Sequence, residues 1–506
     1  MTIPRLAPAD LLAGFTVALV LIPQSLAYAD LAGLQPVHGL YAAAAAPIAG
    51  ALIGSSPYLQ TGPVALTSLL TLGALAPFAP TGTGDFARYA ALLALLVGVA
   101  RVALGLLRWG ALSYLMSLPV VSGFTVAAAV LIIASQLPAL ADVPSEADSP
   151  IAAAADAIAS PGQWSWAAIG IAAATVGIVL VGRRLLASIP WILLVTVAGL
   201  AASRAGWIDV TTVGSIPSGL PPISLNLPWG DVPQLIVPAL VIAIVGFGEP
   251  AAIARRYASN EGKRWDPDRE FIGQGLANLG AGLVGGYPAG GSFSRSALNR
   301  MSGAKTRWSG MITGLAVVAF LPFADVMSAL PTALLAGLVV VAAMSLLDLG
   351  QFRDYWRHSR PQFFVAVPTF VATLATAPRI ERGLLLGVGL ALAVHLWRES
   401  RLDVDSWRED ATLHIVPHGV LYFGSAPDFE SEVAALQAQH SDARFIDVDL
   451  HRLGRLDLTG VYVLRDIADR ADRVGVAVRF RNVPAHAAER VQAVLGGRYS
   501  AFPDLD

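Results

Sequence analysis

Residues 31–84 contain not one Lys, Arg, Asp or Glu. A soluble domain cannot be built from so long a stretch with no charge to face water, whereas bilayer crossings of about 20 apolar residues fit inside it. The rest of the chain up to Trp397 continues in the same vein. The 506 residues are 55% hydrophobic and 14% charged, against about 25% charged in soluble domains. Of the 34 basic and 36 acidic residues, 31 follow Trp397. The division this predicts is a transmembrane domain over residues 1–402 and a cytoplasmic domain over 403–506. A net charge of −2 with no basic tract points to no nucleic-acid partner, and the lack of cysteine removes disulfides, thiolate metal sites and Cys nucleophiles.

The N-terminus imitates a cleavable signal peptide: Arg5, an apolar run over residues 11–22, then Ala27-Tyr28-Ala29. A lone Arg is a thin basic region, and removal would unbalance the topology, so the segment is read as the first span. Spans follow near 11–29, 37–53, a short one at 63–78, then 88–107, 112–138, 164–182 and 188–204. After a Pro-rich linker (205–232) come 233–254, 269–286, a short 292–301, 307–323, 330–347, 361–378 and 383–398. That is about fourteen. With the N-terminus inside, the inner loops carry Arg101 and Arg108; Arg183 and Arg184; Arg255, Arg256, Lys263, Arg264 and Arg269; Arg300, Lys305 and Arg307; Arg353, Arg357 and Arg360; Arg398 and Arg401. The outer loop 139–163 carries Asp142, Glu146, Asp148 and Asp156 and no base. Basic residues gather on the cytoplasmic side, which places both termini in the cytoplasm of a cell with a cytoplasmic (inner) membrane. Arg379 and Arg382 fall on the other side.

Two spans are short and interrupted, one opening at Gly62-Pro63 and one at Gly290-Gly291. Each is third in its half of seven. Broken helices in corresponding positions mark the binding site of an inverted-repeat transporter. Pro63 suits a first helical turn, where its missing N–H is no loss. Helix N-termini carry unpaired N–H groups and partial positive charge, so two of them meeting at membrane depth make an anion site from backbone. Arg295, just inside the second, adds a full charge. An ordinary loop with an interfacial Arg is the other reading of the Gly290 segment.

The tail changes character. Residues 412–416 and 420–423 read as strands, 427–439 as a helix, 444–450 as a strand, 458–473 as a helix, 476–483 as a strand and 485–495 as a last helix. That alternation predicts a small α/β domain.

The motifs Gln35-Pro36-Val37-His38-Gly39-Leu40-Tyr41, Gly62-Pro63-Val64-Ala65 and Ser68-Leu69 resemble the signature of the SulP (sulfate permease, solute carrier 26-like) anion transporters. Tyr287-Pro288, Gly291-Ser292-Phe293-Ser294-Arg295-Ser296 and Gly303-Ala304-Lys305-Thr306 are similar to that family's second hallmark. Asp447-Val448-Asp449 and Asp457-Leu458-Thr459-Gly460 resemble a STAS domain, so the chain looks like a prokaryotic member with a C-terminal STAS domain. Two positions depart from the pattern, His38 and Pro57, and neither receives a role.

The resemblance implies a 7+7 inverted repeat divided into core and gate, an anion held between the third and tenth helices, alternating access and a homodimer. Carried over, Gln24 and Tyr28 follow the kink at Pro23, Pro63 leads the third span with Ala65 and Thr67 nearby, and Ser292, Phe293, Ser294 and Arg295 open the tenth. Gln24 and Tyr28 could instead satisfy backbone that Pro23 leaves unpaired. Arg295 is read either as a ligand or as a fixed field paired with a carboxylate.

Glu249, in Gly246-Phe247-Gly248-Glu249-Pro250, lies in the eighth span, where a carboxylate is costly and marks function. It is a proton carrier or the partner of a permanent ion pair, with Arg295 the candidate cation, and a Glu here is similar to the proton-coupled sulfate and dicarboxylate members. Gly280-x-Gly282-x-x-Gly285 imitates a dinucleotide fingerprint inside a span, where small residues serve helix packing instead. Thr459 stands where STAS relatives carry a phosphorylated hydroxyl, or it caps a helix together with Asp457.

With no P-loop, Ser/His/Asp set or metal cluster, the expectation is a transporter rather than an enzyme, without cofactor. The resemblance, taken with Glu249, implies a secondary active transporter that moves a small anion with protons across the lipid bilayer, of C4-dicarboxylate (fumarate or succinate) type. Sulfate or bicarbonate transport, exchange, an uncoupled channel, and a sensor signalling through a cytoplasmic partner of the STAS domain are the alternatives.

Overall fold

Proline places many of the helix starts in this chain. It occupies the first helical turn of eight of the helices below, where no N–H is lost. The structure, a computed structural model, describes residues 5–111, 117–145, 147, 149–186, 189–223 and 225–496. Glu146 and Asp148 of the acidic outer loop, and the first residues of the span 112–138, lie outside the described residues. The chain divides into two compact units, up to Val388 and from Gly389 on.

The first unit opens with α1 (Pro8–Leu31), α2 (Pro36–Ile53), the two-residue strand β1 (Thr61–Gly62), α3 (Ala65–Leu75) and α4 (Gly84–Leu106). There follow α5 (Leu118–Ala141), α6 (Pro150–Ala159), α7 (Trp166–Leu185) and α8 (Trp191–Arg204). The second half runs through α9 (Val232–Val245), α10 (Gly248–Asn260), α11 (Pro267–Leu283), β2 (Gly290–Gly291), α12 (Phe293–Met301) and α13 (Trp308–Phe320). It continues with α14 (Thr332–Met344), α15 (Gly350–His358) and α16 (Arg360–Ala375), and α17 (Ile380–Glu399) runs through the division at Val388/Gly389. Among the described residues, eight segments are long and apolar enough to cross a bilayer, and four shorter apolar helices, α3 among them, lie between them.

Packing sorts these helices into two groups, which answer to a core and a gate. The main contacts of α1 are with α2 and α13, and those of α11 with α4 and α2, while α5 packs on α14 and α16, and α7 on α14. Small residues permit the close crossings. A Cβ on Gly282 would meet the Ala91 carbonyl at 2.8 Å, and one on Gly280 the Ala49 methyl at 2.9 Å, so this glycine series serves helix packing as expected.

Several expectations are corrected. Arg101 is no loop residue: it lies inside α4 and is wholly buried. The eighth span is broken at Gly246-Phe247 into α9 and α10, so Glu249 sits in the first turn of α10. Pro63 precedes α3, whose capping residue is Val64, and is not in its first turn. The amphipathic helices α6 and α15 interrupt stretches read as loops. In keeping with its reading as part of the first span, the Ala27-Tyr28-Ala29 stretch is continuous buried helix in α1.

In the second unit, β3 (Asp403–Glu409) pairs antiparallel with β4 (Thr412–Leu421), which pairs in parallel with β5 (Phe445–Asp449) and β6 (Leu453–Leu456); β7 (Ala477–Arg481) pairs in parallel with β5. Leu413, Ile415, Ile446, Val448, Val478 and Phe480 alternate onto one face and form the core with α18 (Ala426–Gln439), α19 (Leu458–Arg473) and α20 (Ala488–Leu495). The two strands read at 412–416 and 420–423 are one, β4, and β3 and β6 were not anticipated. Both are short or mostly polar, so neither shows the apolar alternation of a half-buried strand.

Candidate anion site

The two interrupted segments meet. β1 and β2 form an antiparallel pair in which Thr61 opposes Gly291 and Gly62 opposes Gly290, the arrangement expected of two halves related by inversion. α3 and α12 leave from opposite ends of this bridge. A Cβ on Gly291 would stand 2.7 Å from the Leu59 side chain and 3.1 Å from Pro250, so the approach needs glycine there. Neighbouring polar groups fasten the bridge. Ser292 N donates to Gln60 O (3.1 Å), Gln60 N to Ser296 Oγ (2.9 Å), and Gln274 Nε2 to Thr61 Oγ1 (2.8 Å).

At the start of α3, Val64 has no side chain able to bond the first-turn N–H groups. At the start of α12, Ser292 Oγ accepts from Arg295 N (3.5 Å), and Glu249 Oε1 accepts from Phe293 N (3.1 Å). A carboxylate therefore already occupies part of the second N-terminus, where negative charge is favoured.

Arg295 is 1% exposed. Its Nη1 donates to Gln24 Oε1 (3.2 Å) and its Nη2 to Pro63 O (2.8 Å), and its Nε has no partner. No carboxylate oxygen of a described residue lies within 4 Å of it, so the direct ion pair with Glu249 considered above is not formed. Tyr28 is buried one turn beyond Gln24, within electrostatic reach of Arg295, Glu249 and Arg183. Thr67 is fully buried and donates its hydroxyl to Val64 O (3.2 Å); Ala65 is buried too and has only its backbone to offer. Ser294 and Phe293 are exposed, the latter at 44%, and Ser294 Oγ stands 3.3 Å from Ser292 Oγ. The structure thus joins Gln24, Pro63 and Arg295 in one hydrogen-bonded set and Glu249, Ser292, Phe293 and Ser294 around the start of α12. Thr459 lies apart, exposed in the first turn of α19, whose cap is Asp457 Oδ1 accepting from Gly460 N (2.8 Å).

Two residues beside the site were not anticipated. Asn278 clamps the Ala289 peptide from both sides, accepting from Ala289 N (2.9 Å) and donating to Ala289 O (3.1 Å). Arg101 donates to the same carbonyl (3.0 Å). The signal for Arg101 was its place inside the apolar run 88–107.

Residues 8–369 match the sulfate permease family and residues 408–494 the STAS domain. An Arabidopsis thaliana protein named a probable sulfate transporter, 4.2, is 36% identical over 395 residues, covering 76% of this chain and 58% of that protein. A Mycobacterium tuberculosis protein, also named a probable sulfate transporter, is 34% identical over 395 residues, covering 76% of this chain and 69% of its own length. The chain thus spans little more than half the length of the plant relative. In fold it is similar to the murine solute carrier 26 member A9 anion transporter solved in an inward-facing state. That match has a TM-score of 0.87 at 21% identity and covers 98% of this chain and 88% of the other.

Proposed function

Because the chain belongs to the sulfate permease family and ends in a STAS domain, we propose that it is a secondary active transporter of small anions that works by alternating access. The observation that carries this reading is the meeting of the α3 and α12 N-termini on the β1–β2 bridge, with the Arg295 guanidinium buried between them. Backbone N–H groups, helix dipoles and a fixed cation favour negative charge without selecting a particular shape. The membrane is the cytoplasmic membrane with both termini inside, the assembly a homodimer, and the STAS domain a docking point for a cytoplasmic partner under control of Thr459.

Coupling to protons is the finer reading, and Glu249 supports it. Its carboxylate accepts from Phe293 N, a group that the anion would also use. An ionised Glu249 repels the substrate, and a proton on it removes that repulsion, so proton and anion each favour the other's binding. For substrate, the names of both relatives favour sulfate; a C4-dicarboxylate such as fumarate is the reading that Glu249 suggested, and bicarbonate is the third.

Uptake of labelled sulfate, fumarate and bicarbonate into proteoliposomes, with and without an inward proton gradient, tests both levels. Gradient-driven uptake of one of them supports the symporter. Uptake indifferent to the gradient keeps the anion site and removes proton coupling in favour of exchange or a channel. No uptake of any overturns transport in favour of a STAS-based sensor.

A further inference from the structure

Each of the three guanidinium nitrogens of Arg101 donates a hydrogen bond to backbone. Its Nε donates to Ala243 O (3.0 Å), its Nη1 to Ala289 O (3.0 Å) and its Nη2 to Ile242 O (3.1 Å), and the residue is wholly buried. Ile242 and Ala243 lie in the last turn of α9, just before the break that leads to Glu249. Ala289 leads into β2 and, one step beyond the observed register, faces Pro63 across the bridge. Each of these two carbonyls flanking the bridge is held by a buried arginine, Pro63 O by Arg295 and Ala289 O by Arg101.

The guanidinium is also close to α3. A Cβ on Gly246 would stand 2.8 Å from Arg101 Nη2 and 3.2 Å from the Thr67 methyl, so one glycine separates the charge from the first turn of α3. No carboxylate oxygen of a described residue comes within 4 Å of Arg101. The three carbonyls accept hydrogen bonds from it but leave its net charge in place, and an uncompensated buried charge is costly.

We propose that Arg101 is a positioning residue of the anion site, holding the α9–α10 break and the start of β2 in place, and that its unbalanced charge makes the site prefer dianions to monoanions. The inference rests on the reading of α3 and α12 as the anion site. A fixed charge acts twice as strongly on a dianion as on a monoanion at the same place, so neutralising Arg101 costs the dianion more.

Sulfate and perchlorate are tetrahedral oxyanions of similar size and different charge, and their difference in hydration cancels when one variant is compared with another. The test titrates the full-length purified protein with the two sodium salts at fixed sodium concentration, for wild type, Arg101→Gln and Arg101→Lys, and measures sulfate uptake by each. The expectation is that Arg101→Gln weakens sulfate on the order of tenfold more than perchlorate. Arg101→Lys, which keeps the charge and loses the three-way clamp, retains the wild-type preference and lowers kcat with little change in KM. Equal weakening of both anions in Arg101→Gln overturns the charge role. So does equal loss of preference in Arg101→Lys, or failure of both variants to fold, which makes Arg101 a determinant of the fold alone. Wild-type protein that binds neither anion overturns the anion site itself, an outcome distinct from the others.

Discussion

The guanidinium of Arg295 and the carbonyl of Pro63 meet at 2.8 Å across 232 residues of sequence. Arg295 stands in the first turn of α12 and Pro63 one residue before the cap of α3, so the second broken helix holds the first at its origin. Gln24, from α1, takes another nitrogen of the same guanidinium. Three elements remote in sequence converge on one planar cation, which makes Arg295 both an electrostatic feature of the site and a brace for it.

Replacing Arg295 by Gln removes a charge that has no carboxylate partner and leaves Pro63 O without its buried donor. The lost charged hydrogen bond costs about 1.5–3 kcal/mol of stability, and the lost positive charge weakens an anion held beside it, so KM for the anion is expected to rise on the order of tenfold. Arg295→Lys keeps the charge but cannot bridge Gln24 and Pro63 together, and falls between the two. Uptake kinetics on the three proteins check the order; equal KM values for wild type and Gln would remove Arg295 from the binding site.

Glu249→Gln keeps an acceptor for Phe293 N while removing the titrating proton. On the proton-coupled reading proposed above, anion uptake by this variant loses its dependence on an inward proton gradient while binding is retained. The measurement is uptake against external pH, and a pH profile that follows wild type would show that the proton is carried elsewhere.

Asp10 is wholly buried, and its carboxylate collects four donors: Ala7 N (3.0 Å), Lys305 N (2.7 Å), Thr306 N (2.9 Å) and Thr306 Oγ1 (2.7 Å). It pins the loop after α12 to the start of α1. Asp10→Ala strands buried donors, and a loss of about 2–4 kcal/mol is expected from the hydrogen bonds involved. Thermal unfolding in detergent should shift down by several degrees, while anion affinity in the folded protein stays near wild type.

Gly39, within the signature stretch of α2, meets α1 at backbone distance: an added Cβ would lie 1.9 Å from the Ser25 carbonyl. No side-chain adjustment relieves a clash with a carbonyl in a helix. Gly39→Ala is expected to abolish accumulation of folded protein, whereas Gly177→Ala, whose Cβ would meet nothing within 4 Å, is expected to be neutral. Size-exclusion profiles of the two variants make the comparison.

In the C-terminal unit, burial pushes the Asp449 carboxyl up, but hydrogen bonds from Asn482 Nδ2 (3.0 and 3.1 Å) and His451 N (3.0 Å) outweigh it and hold it below the ordinary value. A group lowered in the folded state stabilises the fold above its unfolded value, about 3.9, and that contribution is lost as pH falls through the folded value. Asp449→Asn should therefore destabilise the domain at neutral pH, with the gap to wild type closing below about pH 4. Thermal unfolding followed from neutral to acid pH gives the test; a gap that stays constant would mean that the charge contributes nothing.

Much of this protein was legible before any coordinates. The uncharged stretch over 31–84 determines membrane insertion, because no soluble surface can be made from it. The loss of apolar character after Trp397 marks a second domain, and Gly62-Pro63 and Gly290-Gly291 mark the two broken helices, because these residues interrupt a span wherever it lies. The roles of individual charges were decided by tertiary structure. Arg101, counted from the sequence among loop charges, proves to hold the Ala289 carbonyl, and Arg295 holds Pro63 rather than pairing with Glu249. Residue types and spacing determine where a helix ends and which face is apolar, since those depend on neighbours along the chain. Which carbonyl a buried guanidinium meets depends on two segments brought together by the inverted halves, and only the assembled fold specifies that contact.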